Sequence, residues 1–182
     1  MACDLTTGRT KIKCASFAGI KTVFFSTDAL GTITYNVTNT DSITTFAGTP
    51  VFFEYNLKKS AANTFDAGTP QKDAATGTTL LTQTLNVQLP KMDRATHKEF
   101  KLLLYSSPTV IVFDNNGNYL VMGLENGADM TGGSILTGGG GTDFNGYTLI
   151  MTAEEKAPAN YLDVDIPTTT ATISGTQTDV DA

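Results

Sequence analysis

Apolar and polar residues alternate with a period of two along most of the first ninety or so positions, which predicts a chain of strands. In GIKTVFFST, Ile20, Thr22, Phe24 and Ser26 fall on one face and Lys21, Val23 and Phe25 on the other. Both faces carry an aromatic, so this strand has to be covered twice, by a second sheet or by another subunit. TITYNV alternates Ile33, Tyr35 and Val37 with polar residues, and ITTF follows the turn residues Asn39 to Ser42. VFFEYNLKK sets Val51, Phe53, Tyr55 and Leu57 against Phe52, and its closing lysines suit an edge. TLLTQTLNVQL is the longest run. Leu81, Gln83, Leu85, Val87 and Leu89 share its core face, and the facing row, from Leu80 to Gln88, is polar but uncharged.

The period then changes to that of a helix. In KMDRATHKEFKLLLY, Met92, Ala95, Phe100 and Leu103 cluster on one side and Arg94, Lys98 and Lys101 on the other. Asp93 is placed to cap a single helix of about 92–105, and Ser106-Ser107-Pro108 ends it. A hairpin, TVIVFD and YLVMG, follows around Asn115-Asn116-Gly117-Asn118, the strongest short turn signal. YTLIMTAEE is the last strong strand. These elements predict a mainly β chain, an antiparallel β-sandwich or barrel with one flanking α-helix. Residues 1–18 read as an N-terminal arm, 19–166 as a single β-rich domain and 167–182 as a polar C-terminal tail.

Two stretches lack a period. Residues 60–77, with Phe65 the one aromatic, read as a long loop, either a mobile insertion or an arm that orders against a neighbouring subunit. From Thr131 to Gly141, glycines stand at 132, 133 and 138 to 141. A phosphate-binding loop ends in Gly-Lys-Ser/Thr at a helix, whereas this one has no lysine and enters a strand. Gly138, Gly139, Gly140 and Gly141 therefore read as a bend or a close backbone approach between subunits.

Composition narrows the function. Charged residues are 16% of the chain and the net charge is −6, against about 25% charged in an average domain. So few bases argue against a phosphate-gripping surface. No apolar run reaches the roughly 20 residues of a spanning helix, and the N-terminus has no apolar leader, which predicts synthesis in a cytoplasm. Cys3 and Cys14 read as free thiols in a reducing compartment, with a bridge formed after release as the alternative. With one histidine, His97, the soft ligands are too few for zinc. DNNGN misses the spacing and the closing Glu of a calcium loop. Glu154-Glu155 read as a solvated strand end, their side chains on opposite faces. The expectation is no catalytic residue, no metal and no cofactor.

The order of strands, helix, VIVFDNNGNYLVMG, GADMTGGSILTG and DFNGYTLIMTAEEKAPANYL resembles the tail tube proteins of tailed bacteriophages. It is also similar to uncharacterised virion proteins of phages infecting Bacteroidetes, crAss-like phages among them. The likeness runs from about Cys3 to Leu162 and is densest from the helix onward. It implies a virion structural subunit, made in a host bacterial cytoplasm. Such subunits form rings, commonly hexameric, stacked into a tube through which DNA passes without specific binding, with other tail or connector proteins as partners. The rivals are a head–tail ring or capsid-decorating protein, and a secreted β-sandwich binding module. A ring would explain the aromatics on both faces of VFFS and VFFEY, with Phe25, Phe52 and Phe65 as candidate interface residues. Burial of Phe25 and Phe52 in the subunit's own core is the equal alternative.

Overall fold

The segments with aromatics on both faces form the middle of the molecule. The computed structural model describes residues 16–38, 40–73 and 75–163, with the backbone of 172–173. Eight strands form one sheet: β1 (Ile20–Ser26), β2 (Ile33–Tyr35), β3 (Ser42–Phe46), β4 (Val51–Asn56), β7 (Thr109–Asp114), β8 (Tyr119–Met122), β11 (Asn160–Leu162) and β12 (Thr172–Ile173), ordered β12-β4-β1-β7-β8-β11-β3-β2. Four form a second sheet: β5 (Thr64–Asp73), β6 (Thr78–Pro90), β9 (Asp129–Leu136) and β10 (Gly146–Glu155), ordered β5-β6-β10-β9. The pairings are antiparallel except β11 with β3 and β12 with β4. This is the expected mainly β, two-sheet architecture, with α1 (Arg94–Leu104) as the one helix of the described residues.

Two cores result. Between the sheets, Val23, Phe25, Val110, Val112 and Met122 meet Leu85, Val87, Tyr147, Leu149 and Met151. On the opposite face of the large sheet, Phe24, Ile111 and Val121 meet Ile43, Phe46, Phe52 and Leu162. The rings of Phe46 on β3 and Phe52 on β4 lie 6.4 Å apart although four strands separate β3 from β4 in the sheet order. The large sheet is therefore curled, and its concave face holds the second core.

α1 closes one side of the first core. Asp93 caps it: one carboxylate oxygen accepts the Thr96 N–H and the other the Thr96 hydroxyl, both at 2.6 Å. Leu103 is buried, Phe100 lies 5.6 Å from the Tyr147 ring, and the Tyr147 hydroxyl donates to the Asp93 carbonyl at 3.0 Å. The buried stripe includes Thr96 and leaves Ala95 exposed, the reverse of the expectation. With its hydroxyl already held by Asp93, Thr96 enters the interior without an orphaned polar group.

The crossover from β8 to β9 is fastened by two buried polar side chains. The Gln83 amide oxygen accepts the Gly123 N–H at 3.1 Å, and its amide nitrogen donates to the Ala157 carbonyl at 3.3 Å. The Glu155 carboxylate accepts the N–H groups of Glu125 and Asn126, each at 3.0 Å. Glu155 is thus buried at 4% exposure, not a solvated strand end, while Glu154 beside it is exposed on the other face. Gly123 has φ 68°, and a Cβ there would meet the Gly127 carbonyl carbon at 2.6 Å.

Four other expectations are corrected. Residues 60–77 are not a long loop: β5 fills most of the stretch and pairs with β6 from Thr64 to Asp73. Backbone bonding to a long neighbour supplies the order, a bulge between Asp66 and Thr69 absorbs the irregularity, and Pro70 is tolerated because β5 is an edge. Thr131 to Leu136 belongs to β9, not to a glycine loop. Of the supposed tail, Thr172–Ile173 is strand β12, paired with Val51 and Phe52. Phe25 and Phe52, 4% and 0% exposed, lie in the chain's own two cores, so neither has surface left for a neighbour to cover.

Phe52→Ala is expected to cost about 3–5 kcal/mol by chemical denaturation, the usual range for emptying an aromatic core site. Phe53→Ala, at a side chain 46% exposed, should cost about 1 kcal/mol or less. Equal losses at the two positions would contradict the second core.

Candidate functional site

The second sheet presents one continuous face to solvent, and register assigns its residues. Ser134, Thr148 and Gln88 form one cross-strand row. Gly132, Ile150, Asn86 and Thr64 form the next, followed by Asp129, Thr152, Thr84 and Asp66, then Glu154, Thr82 and Thr69. These positions alternate with the core residues Leu85, Val87, Leu149 and Met151, so they point outward. Side chains bond across the strands: Ser134 and Thr148 hydroxyls at 2.6 Å, the Asn86 amide to the Thr64 hydroxyl at 3.0 Å, and the Gln71 amide to the Thr82 hydroxyl at 3.3 Å. Ile150 lies over the space left by Gly132, in van der Waals contact with where its Cβ would be. No lysine or arginine occupies these rows. The sheet ends in two edges, β5 and β9, each paired on one side only.

The glycine-rich turn joins β9 to β10 at one end of this sheet. Gly138, Gly139, Gly140 and Gly141 are exposed, and the Asp143 carboxylate accepts the N–H groups of Gly139 and Gly140 at 3.0 and 2.7 Å. Those bonds, Gly140 first, hold the Asp143 carboxyl below its ordinary value. The backbone is fastened internally, so these glycines form a self-supported turn. Of the two readings, the bend is what the chain shows at these glycines; a close approach within the sheet occurs at Gly133, where a Cβ would strike the Thr148 carbonyl. Phe65 is half-buried against the chain's own first core.

Asp114 organises the β7–β8 turn. Its carboxylate accepts the backbone N–H groups of Asn116 and Asn118 at 2.8 and 2.7 Å, and both side-chain amides besides. Burial pushes the Asp114 carboxyl up, but the bonds from Asn118 and Asn116 outweigh it and leave the group below its ordinary value. The same turn docks the start of the described chain: Asn116 accepts the Phe17 N–H at 2.8 Å, and Asn115 donates to the Ala18 carbonyl at 2.9 Å. A cleft of about 510 Å³ opens beside it, lined by Phe17, Ile20, Leu57, Lys59 and Ser60 among others, with lysines but no carboxylate or histidine.

His97 is exposed on α1, 6.2 Å from the Tyr147 ring, in a shallow groove with Met92, Asp93 and Arg94. Among the described residues no group of three or more His, Cys, Asp or Glu could hold a metal ion. Tyr55 is the most perturbed acid. Burial first, then the Glu99 and Asp93 carboxylates, push its hydroxyl up to about 12. Cys3 and Cys14 lie outside the described residues. No helix is long and apolar enough to cross a membrane among the described residues. Among the described residues, none of those singled out from sequence is brought together with another into a reactive cluster. The outward sheet face was half visible there, as the uncharged row of the long strand. Its extension over β10 and β9 required the register.

Comparison with family models, with curated proteins and with solved structures gave no match.

The Asp114 turn and the Asp93 cap generate a pH prediction. Both carboxyls titrate below their ordinary value in the folded chain, so their stabilisation is complete above the unfolded value of about 3.9. It is lost as the pH falls through the lowered folded values. Thermal melts of Asp114→Asn should show a shallower loss of stability below about pH 4 than the parent chain. Identical acid limbs would refute the role of Asp114.

Proposed function

We propose that this chain is a structural subunit of a bacteriophage virion, a tail tube protein that assembles as rings, hexameric by resemblance, stacked into a conduit for DNA. The observation that carries the proposal is the outer face of the four-stranded sheet. A wall past which a duplex slides must not hold phosphates, and each phosphate neutralised by Lys or Arg strengthens binding through counterion release. This face offers hydroxyls and amides bonded to one another, the carboxylates of Asp66, Asp129 and Glu154, and no base. Its negative charge repels phosphate without creating a binding register.

The edges of the same sheet support assembly. β9 carries no charged residue from Met130 to Leu136, and Ile135 and Leu136 are 40% and 46% exposed. Natural monomers blunt such edges with lysine, proline or a covering element. The β9 edge carries neither lysine nor proline and suits pairing with a neighbouring copy, which extends the sheet around a ring. The role proposed is structural, with the virion as its location, other copies and adjoining tail or connector proteins as partners, and DNA as unbound traffic.

Negative-stain microscopy of the purified chain is the test. Stacked rings or tubes are expected, and they should release double-stranded DNA at low salt. Single rings that never stack would favour a head–tail ring. Dispersed monomers at all concentrations would overturn assembly and favour a binding module.

A further inference from the structure

The subunit has two dissimilar flanks. On one, α1 contacts β9 and shares the first core with Tyr55 of β4 through Phe100 and Leu103. On the other lie β2, β3 and β11, where Tyr35, Asp41 and Asn160 line a groove with Glu155 at the end of β10, whereas α1 packs on Tyr147 near the start of that strand. β5, the edge opposite β9, reaches the same flank, where the Ala67 carbonyl accepts the Ala159 N–H at 2.8 Å.

The outward stripe of α1 is basic and apolar. Arg94, Lys98, Lys101, Leu102 and Tyr105 follow helical spacing and all are exposed, Leu102 at 53% and Tyr105 at 81%. Arg94, Lys98 and Lys101 form no ion pair among the described residues. Arg94 and Lys98, four residues apart, repel each other in the free chain.

The far flank is acidic and aromatic. Tyr161 on β11 pairs across to Ser42, the residue after Asp41, and Asp163 stands two residues further along the chain. All three are exposed, and Tyr35 beside them on β2 is 41% exposed. The nearest lysine in sequence, Lys156, is engaged with Glu125 at 3.1 Å. The Asp163 carboxylate accepts the Asn36 amide at 2.7 Å, but neither Asp41 nor Asp163 forms an ion pair among the described residues. A basic surface and an acidic one thus lie on different flanks of one subunit. That is the arrangement a head-to-tail contact between copies needs.

We propose that the Arg94–Lys98–Lys101–Tyr105 stripe of one copy docks on the Asp41–Tyr161–Asp163 rim of the next. This deepens the ring-forming function and rests on it. The partner is a second copy of this chain, because the chain itself carries the complementary surface.

Charge exchange tests the contact. Lys98→Glu with Lys101→Glu sets acid against acid, and Asp41→Lys with Asp163→Lys sets base against base. Each pair alone should abolish rings in size-exclusion chromatography and microscopy, with the circular dichroism spectrum and melting temperature near those of the parent. The chain carrying all four substitutions should recover rings, and parental rings should loosen as salt rises. Folded two-site variants that assemble like the parent would overturn the contact while leaving ring formation standing, as would a folded four-site chain that stays monomeric. A parent chain that never forms rings would overturn both. If one pair of substitutions prevents folding, mixing the parent with the other pair decides: those copies should be excluded from parental rings, and their entry would refute the contact.

Discussion

A strand with apolar side chains on both faces has to be covered twice, and β1, β7 and β8 are of that kind. Val23, Phe25, Val110, Val112 and Met122 demand one cover, and Phe24, Ile111 and Val121 demand another. Burial of a large apolar side chain stabilises by about 1.5–3 kcal/mol, so leaving either face wet would forfeit several such terms. The chain meets the first demand with a separate sheet and a helix. It meets the second by curling the large sheet until β3 and β4 bring Phe46 and Phe52 together over the far face. Short β2 and β12 end the curled sheet, and β11 joins its two halves, antiparallel to β8 and parallel to β3.

Covering the first face with a second sheet requires the chain to cross between sheets, and crossings expose backbone groups in buried places. Gln83 and Glu155 resolve this at the β8–β9 turn. Each places a polar side chain in an apolar row, an arrangement that is costly unless every buried group finds a partner. Three turn N–H groups and the Ala157 carbonyl are satisfied by these two residues alone. The tight backbone at Gly123 then has no room for a side chain. Interior polarity here is a by-product of topology.

The readable parts of the sequence were those in which side chains specify structure. Asp93 with Thr96, the Asn-Gly hairpin and the alternation of β6 and β10 each announce an element through side-chain chemistry. β5 and β9 are specified by their neighbours instead. TFDAGTPQKD and DMTGGSIL have no apolar alternation, and glycine contributes no side chain to a pattern, so both strands exist because β6 and β10 offer backbone partners. The destination of Phe25 and Phe52 was illegible for a different reason. A two-faced strand shows that it is covered, not by whom, and only the curl of the sheet supplies an intramolecular answer. The three-residue β11 and two-residue β12 are too short to carry any period.

The outward sheet face also constrains where charge can reside. A surface dependent on hydroxyls and amides across one whole sheet has little lysine or glutamate to keep it soluble. With charged residues at 16% of the chain, the ones present must act from elsewhere. The bases of α1 and the carboxylates of the β2–β11 rim occupy the flanks, while the net charge of −6 keeps free copies apart at a distance. Long-range repulsion and short-range complementarity are then compatible, because the first is set by the sum of the charges and the second by their arrangement. Opposite charges at the flanks can select one orientation of approach without adding a base to the outward sheet face. Under the proposed role, this segregation would serve a phosphate-indifferent face and directional contacts together, each flank being incomplete by itself.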